Sequence, residues 1–111
     1  MSEQSLGSLE ETILVIVLMK EKCHGVEIAK VYEAHVKQSI SLPAIHIVLK
    51  RLEKKGLVNS SFGEPTPERG GKRKKYYQST TSGYRIAHHL QERRSQMWSL
   101  VPKTSLQYGL L

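Results

Sequence analysis

The chain has 111 residues, 39% of them apolar and 24% charged, and its 17 Lys and Arg outweigh 10 Asp and Glu to give a net charge of +7 and a pI near 9.7. That length suits one small domain with its own core, and the composition fits neither a disordered chain nor a membrane protein. The excess positive charge points to a polyanionic partner, and Arg69, Lys72, Arg73, Lys74 and Lys75 crowd into one stretch, which says more than diffuse charge would.

The opening MSEQSLGSLEET is acidic and has no positive n-region or small-residue cleavage site, so export is not expected and the expected location is the cytoplasm. Ser8-Leu9-Glu10-Glu11 reads as a capping box, with Ser5 as an earlier start. Leu6, Leu9, Ile13, Ile16 and Val17 form one stripe of a first helix running to about Lys22. Its apolar run Ile13–Met19 is far short of the roughly 18 to 20 residues of a membrane span. Leu14, Val15, Leu18 and Met19 make the later half apolar nearly all round, which calls for a neighbouring chain as well as the domain's own core.

Cys23-His24-Gly25 breaks the pattern. Cys23, the single cysteine, leaves no internal disulfide and reads as a buried packing group suited to a reducing compartment. Ile28, Ala29, Tyr32 and Val36 mark a second helix of about three turns, followed by a polar link at 37–40. Ser41 caps a third helix over 42–55, Pro43 sits in its first turn, and Gly56 stops it. Ile45, Val48, Leu49 and Leu52 should face a core, leaving His46, Lys50, Arg51 and Lys54 outward. Two such helices with a short link are a helix-turn-helix.

Leu57-Val58 starts a strand that includes Phe62. The prolines and glycines of GEPTPERGG predict an irregular loop over 63–71, and Lys72–Ser79, with Tyr76 and Tyr77, the return strand. A hairpin directly behind a helix-turn-helix is a winged helix. Thr80 or Thr81 caps a last helix of about 20 residues that ends before Pro102, and 103–111 reads as a frayed tail. On this helix Ile86, Leu90, Met97 and Val101 form a narrow stripe, interrupted by Arg93 and Arg94, that predicts pairing with a second copy.

SLEETILVIVL in the first helix, HGVEIAKVYE at 24–33, LKRLEKKGLV at 49–58 and RGGKRKKYYQSTTSG at 69–83 together resemble the PadR family of bacterial transcriptional regulators. The last two, at this separation, carry most of the resemblance. It implies a mostly helical chain with a small β-hairpin: a winged helix-turn-helix over 1–80 (wing about 57–79), a dimerisation helix over 81–101, and a tail over 102–111. The sequence departs from the family at His46, where a tyrosine is usual, at Ser79, where leucine is usual, and at Val26, where an aromatic is usual.

The expected role is a transcriptional regulator, a repressor, that binds a pseudo-palindromic site in double-stranded DNA as a homodimer. The N-terminal half of the third helix would enter the major groove, with Ser41, Ala44, His46, Ile47 and Lys50 nearest the bases and backbone and Lys54 continuing the row. Arg69, Gly70, Gly71, Lys72, Arg73, Lys74 and Lys75 of the wing would follow phosphates. Strand alternation allows only about half of these charges to reach them. Trp98 reads as an interface anchor, or, with Met97 and Val15, as the wall of a cavity between subunits for a small, flat aromatic effector.

Five histidines and Cys23 show no metal-ligand spacing, so no metal or other cofactor is expected. No nucleophile–base pair or paired catalytic carboxylates stand out, which argues against an enzyme. A basic RNA- or ribosome-associated winged-helix module would explain the charge equally well but should display aromatic platforms on an open sheet. A purely protein-binding winged helix is the other alternative.

Overall fold

Three helices, a hairpin and a long final helix follow one another in the computed structural model, which describes residues 5–65, 67, 70 and 73–103. They are α1 (Ser8–Leu18), α2 (Gly25–Val36), α3 (Leu42–Lys54), β1 (Val58–Pro65), β2 (Arg73–Ser79) and α4 (Thr81–Ser99). The mostly helical winged architecture expected from the sequence is present. No helix among the described residues is long and apolar enough to cross a membrane.

The core is the sum of the periodic stripes. Ile13, Leu14, Ile16 and Val17 of α1 meet Ile28 and Tyr32 of α2, Ile45, Val48, Leu49 and Leu52 of α3, and Leu57, Val58 and Tyr77 at the base of the hairpin. The outward residues predicted for α3, His46, Lys50, Arg51 and Lys54, are all exposed. Ser41 caps α3 by accepting the Ala44 N–H (3.2 Å), and Gly56, at φ 77°, turns the chain into β1.

Three boundaries differ from the sequence reading. First, α1 begins after Gly7, and Glu10 rather than Glu11 accepts the cap N–H (Gly7 N to Glu10 Oε1, 3.0 Å). Glu10 is nearly buried and also receives Lys55 Nζ at 3.0 Å, a cation from the end of α3 that the local pattern does not reveal. Second, α1 stops at Leu18, short of Lys22, because the chain must rise to pair with the wing: Cys23 and Tyr77 exchange backbone hydrogen bonds of 3.0 and 2.7 Å. Third, 63–65 is strand, not loop. Pro65 ends β1 opposite Arg73 on an edge strand, where proline is tolerated, and the irregularity falls in a register shift between Phe62 and Pro65.

α4 is fastened at its start. Thr80 Oγ1 accepts the Gly83 N–H (3.0 Å) and donates to the Gly56 carbonyl (2.7 Å), so one side chain joins the cap of α4 to the turn after α3. Ala87 is buried and Ile86 half-buried against this chain's own core. Farther along, Arg94 makes a two-pronged ion pair with Glu11 of α1 (2.8 and 2.9 Å). From Gln91 to Leu100 every residue is exposed.

Candidate nucleic-acid interface

The antiparallel register pairs Ser60 with Tyr77 and Phe62 with Lys75. Because side chains alternate along a strand, Arg73, Lys75 and Tyr77 share one face of the wing with Ser60 and Phe62. That face is turned toward α3: Tyr77 is buried in the core, and Ser60 Oγ donates to Glu53 Oε2 at 2.6 Å. Between the wing, α3 and the start of α2 lies an open groove of about 530 Å³, bordered by His24, His46, Lys50, Glu53, Arg73, Lys74, Lys75 and Tyr77. Five of the residues predicted to contact nucleic acid, His46, Lys50, Arg73, Lys74 and Lys75, therefore come together from two elements far apart in sequence.

The other predicted residues are placed differently. Ser41, Ala44 and Ile47 lie on the first turns of α3 outside this groove, with Ile47 exposed and Ala44 half-buried. Lys54 is exposed one turn past Lys50, and Gly70 is exposed at the hairpin turn. Arg69, Gly71 and Lys72 lie outside the described residues.

Aromatic rings accompany the wing cations. Arg73 and Lys75 each lie 5.8 Å from the centre of the Phe62 ring, Lys75 also lies 5.8 Å from that of Tyr77, and Lys22 lies 5.1 Å from that of Tyr76 on the opposite face. Such contacts restrict long side chains before any partner arrives. Burial, with Glu53 adding to it, raises the Tyr77 pKa, which leaves a neutral phenol among the cations. Among the described residues Glu53 is the one acidic side chain bordering the groove, and its bond to Ser60 ties α3 to the wing.

Two groove residues escaped the sequence reading. His24, expected at a helix turn, stands at the N-cap of α2 and packs edge-on against Tyr76 with ring centres 5.8 Å apart, while its backbone N–H donates to Glu27 Oε1 (3.1 Å). The next residue, Gly25, brings the start of α2 close to α3: a Cβ there would fall 2.9 Å from His46 Nε2. The other is Glu53, whose position beside the cations follows from the hairpin's fold back over α3.

On the second half of α4, Met97 and Trp98 are about two-thirds exposed. Together with Leu90, Arg93, Arg94 and Val101 they line a shallow groove of about 500 Å³. Val15, expected beside them, lines a separate groove of about 420 Å³ with Met19, Val36 and Ala87, and Arg94 borders both. The structure thus brings Met97, Trp98, Leu90 and Val101 to one groove, whereas Val15 lines another and Ile86, one turn before Leu90, packs against the domain's own core. No cluster of three or more potential metal ligands occurs among the described residues.

Among solved structures, a PadR family transcription regulator of Clostridium difficile is 28% identical, covering 95% of this chain and 100% of that one, with a TM-score of 0.64. A protein of Streptococcus mutans is 26% identical over 89% of this chain and 86% of its own, with a TM-score of 0.67. A PadR-like transcriptional regulator of Bacillus cereus shares the fold at 22% identity and a TM-score of 0.67, covering 82% and 84%. None of the curated proteins matches the sequence. The family description "Transcriptional regulator PadR-like family" matches residues 13–89, from α1 through the wing into α4, and the chain belongs to that family.

Proposed function

We propose that this regulator is a sequence-specific DNA-binding repressor that works in the cytoplasm as a homodimer on a pseudo-palindromic operator. The observation that carries the reading is the basic groove between the exposed face of α3 and the wing, where His46, Lys50, Arg73, Lys74 and Lys75 converge. In this reading residues 1–80 form the DNA-binding unit. The first turns of α3, with Ser41, Ala44, His46 and Ile47, enter the major groove, Lys50 and Lys54 continue along its edge, and the wing cations take backbone phosphates. Arg69, Gly70, Gly71 and Lys72 belong to the same wing contact. No catalytic step is required of any residue.

Residues 81–101 form the dimerisation helix. The second half of α4, exposed from Gln91 to Leu100 and carrying Leu90, Met97, Trp98 and Val101 along one groove, supports this: a stripe that the other described residues leave open is covered by a second copy. Two Trp98 rings would then face a shared space suited to a flat aromatic effector. Differential affinity of that effector for two dimer arrangements would release DNA.

Gel shifts with duplex DNA and single-stranded RNA in mutual competition, repeated over a range of salt, test the reading. If a dimer neutralises about six to eight phosphates, log K falls with log salt at a slope of about −5 to −7 for the duplex. Stronger competition by RNA, or affinity independent of salt, refutes it. Quenching of Trp98 fluorescence by a planar aromatic cation, together with calorimetric binding of that cation that is lost in Trp98→Ala, tests the effector site; binding unchanged in Trp98→Ala refutes it.

A further inference from the structure

Phe62, the chain's single phenylalanine, is 61% exposed, although it sits in the middle of the hairpin and not at its tip. It belongs to no part of the core; its partners on the wing are the Arg73 and Lys75 side chains, each 5.8 Å from the ring centre. Directly opposite Lys75 in register, it lies on the same strand face as Ser60 and Tyr77, both of which are engaged by α3 and the core. The ring is therefore on the side of the wing that overhangs α3, beside the groove cations. The ladder is regular from Val58 to Phe62 and shifts register only beyond it, so the ring is held by paired backbone.

An apolar ring between two cations suits a particular surface. A protein partner with an apolar patch would leave Arg73 and Lys75 without counter-charge, and a simple anion would leave the ring in water. A nucleic-acid backbone offers both, since deoxyribose carbons lie between successive phosphates. Resting on the duplex-DNA reading above, we propose that Phe62 is a further DNA-contact residue, its ring packed on deoxyribose of the strand whose phosphates Arg73 and Lys75 take. Sugar and phosphate contacts carry no sequence information, so this contact adds affinity to every duplex equally. It is also apolar, so it adds affinity without releasing counterions.

The two contributions separate by salt. Phe62→Ala should weaken binding about tenfold, on operator and unrelated duplex alike, and leave the slope of log K against log salt unchanged. Arg73→Gln should instead reduce that slope by about 0.9 for each phosphate lost. A direct probe moves the only tryptophan to the site: in Phe62→Trp combined with Trp98→Phe, saturating duplex should alter the fluorescence. Unchanged affinity in Phe62→Ala, or unchanged fluorescence in the relocated-tryptophan protein, overturns the proposal while leaving DNA binding intact. A slope that falls in Phe62→Ala also overturns it, since the ring would then act only by holding the cations. Failure of the wild-type protein to bind duplex removes the underlying reading and the proposal with it. Equal thermal stability of wild type and variants shows that the exposed site was altered without unfolding.

Discussion

Gly83 offers a prediction whose sign alone is decisive. It lies in the first turn of α4 and is buried, whereas its neighbour Ser82 is exposed. In an open helix, replacing glycine by alanine stabilises by about 1 kcal/mol, through backbone entropy. Here a Cβ would come 2.6 Å from Ser79 Oγ, 3.2 Å from the Leu57 carbonyl carbon and closer still to its oxygen. The obstacle is largely backbone at the base of the hairpin, which cannot swing aside, so α4 must lift from the domain. Overpacking of this kind costs roughly 1–3 kcal/mol, and the larger values apply where backbone must move. The net expectation for Gly83→Ala is a loss of about 1–2 kcal/mol. In a domain of this size that lowers Tm by about 4–8 °C per kcal/mol. Thermal denaturation at one fixed protein concentration, with Ser82→Ala as the exposed control, measures it. If Gly83→Ala raises Tm, α4 does not sit against Leu57 and Ser79 as described.

Three other consequences concern groups that hold the scaffold. Burial pushes the Glu10 carboxyl up, but the Gly7 N–H, the Lys55 hydrogen bond and the charges of Lys55 and Arg51 outweigh it and leave the pKa below its ordinary 4.5. A depressed carboxylate contributes stability above that value and loses it as pH falls through its folded pKa. Acid unfolding below about pH 4.5 should therefore be flatter in Glu10→Gln, and Lys55→Met should destabilise by roughly 1–2 kcal/mol at neutral pH by chemical denaturation. Burial, with Glu27 adding and Lys20 opposing, raises the Cys23 thiol from 9.0 to about 11. Its reaction with a thiol reagent at pH 8 should be about a hundredfold slower than in unfolded chain, and slower again for lack of access; comparable rates would contradict its burial. Glu11→Gln removes the charge that holds Arg94, so amide exchange over Gln91–Ser99 should quicken while α3 stays protected.

The helices were legible because their signals are local. The stripe Ile45-Val48-Leu49-Leu52, the Ser41 cap and the Gly56 stop lie within one short stretch, and each is where the sequence placed it. Thr80 and Thr81 are both possible caps by pattern, and Thr80 takes the role, its hydroxyl also reaching the Gly56 carbonyl. What failed depended on distant partners. Glu10 and Glu11 are equivalent by pattern and are told apart only by Lys55, 45 residues from Glu10, and Arg94, 83 residues from Glu11. The early end of α1 follows from Cys23 pairing with Tyr77, 54 residues away. In the wing, the cations announced a charged surface, but which of them share a face depends on the register, and a shift between Phe62 and Pro65 cannot be counted from turn residues alone. That is why Phe62 and His24 were missed beside cations that were found. Exposure of Met97 and Trp98 was foreseen as a need for cover, whereas the separation of Val15 from them follows from the way α4 crosses α1.

Selection of bound sequences from a random duplex library by the purified protein tests the central claim most directly. A dimer reading DNA with two copies of α3 should enrich two half-sites related by a dyad, with centres about 10–10.5 base pairs apart or a multiple of that spacing. Substitution of His46 should alter preference at a fixed position in both halves. Enrichment of a single asymmetric motif, or of none, would contradict the account.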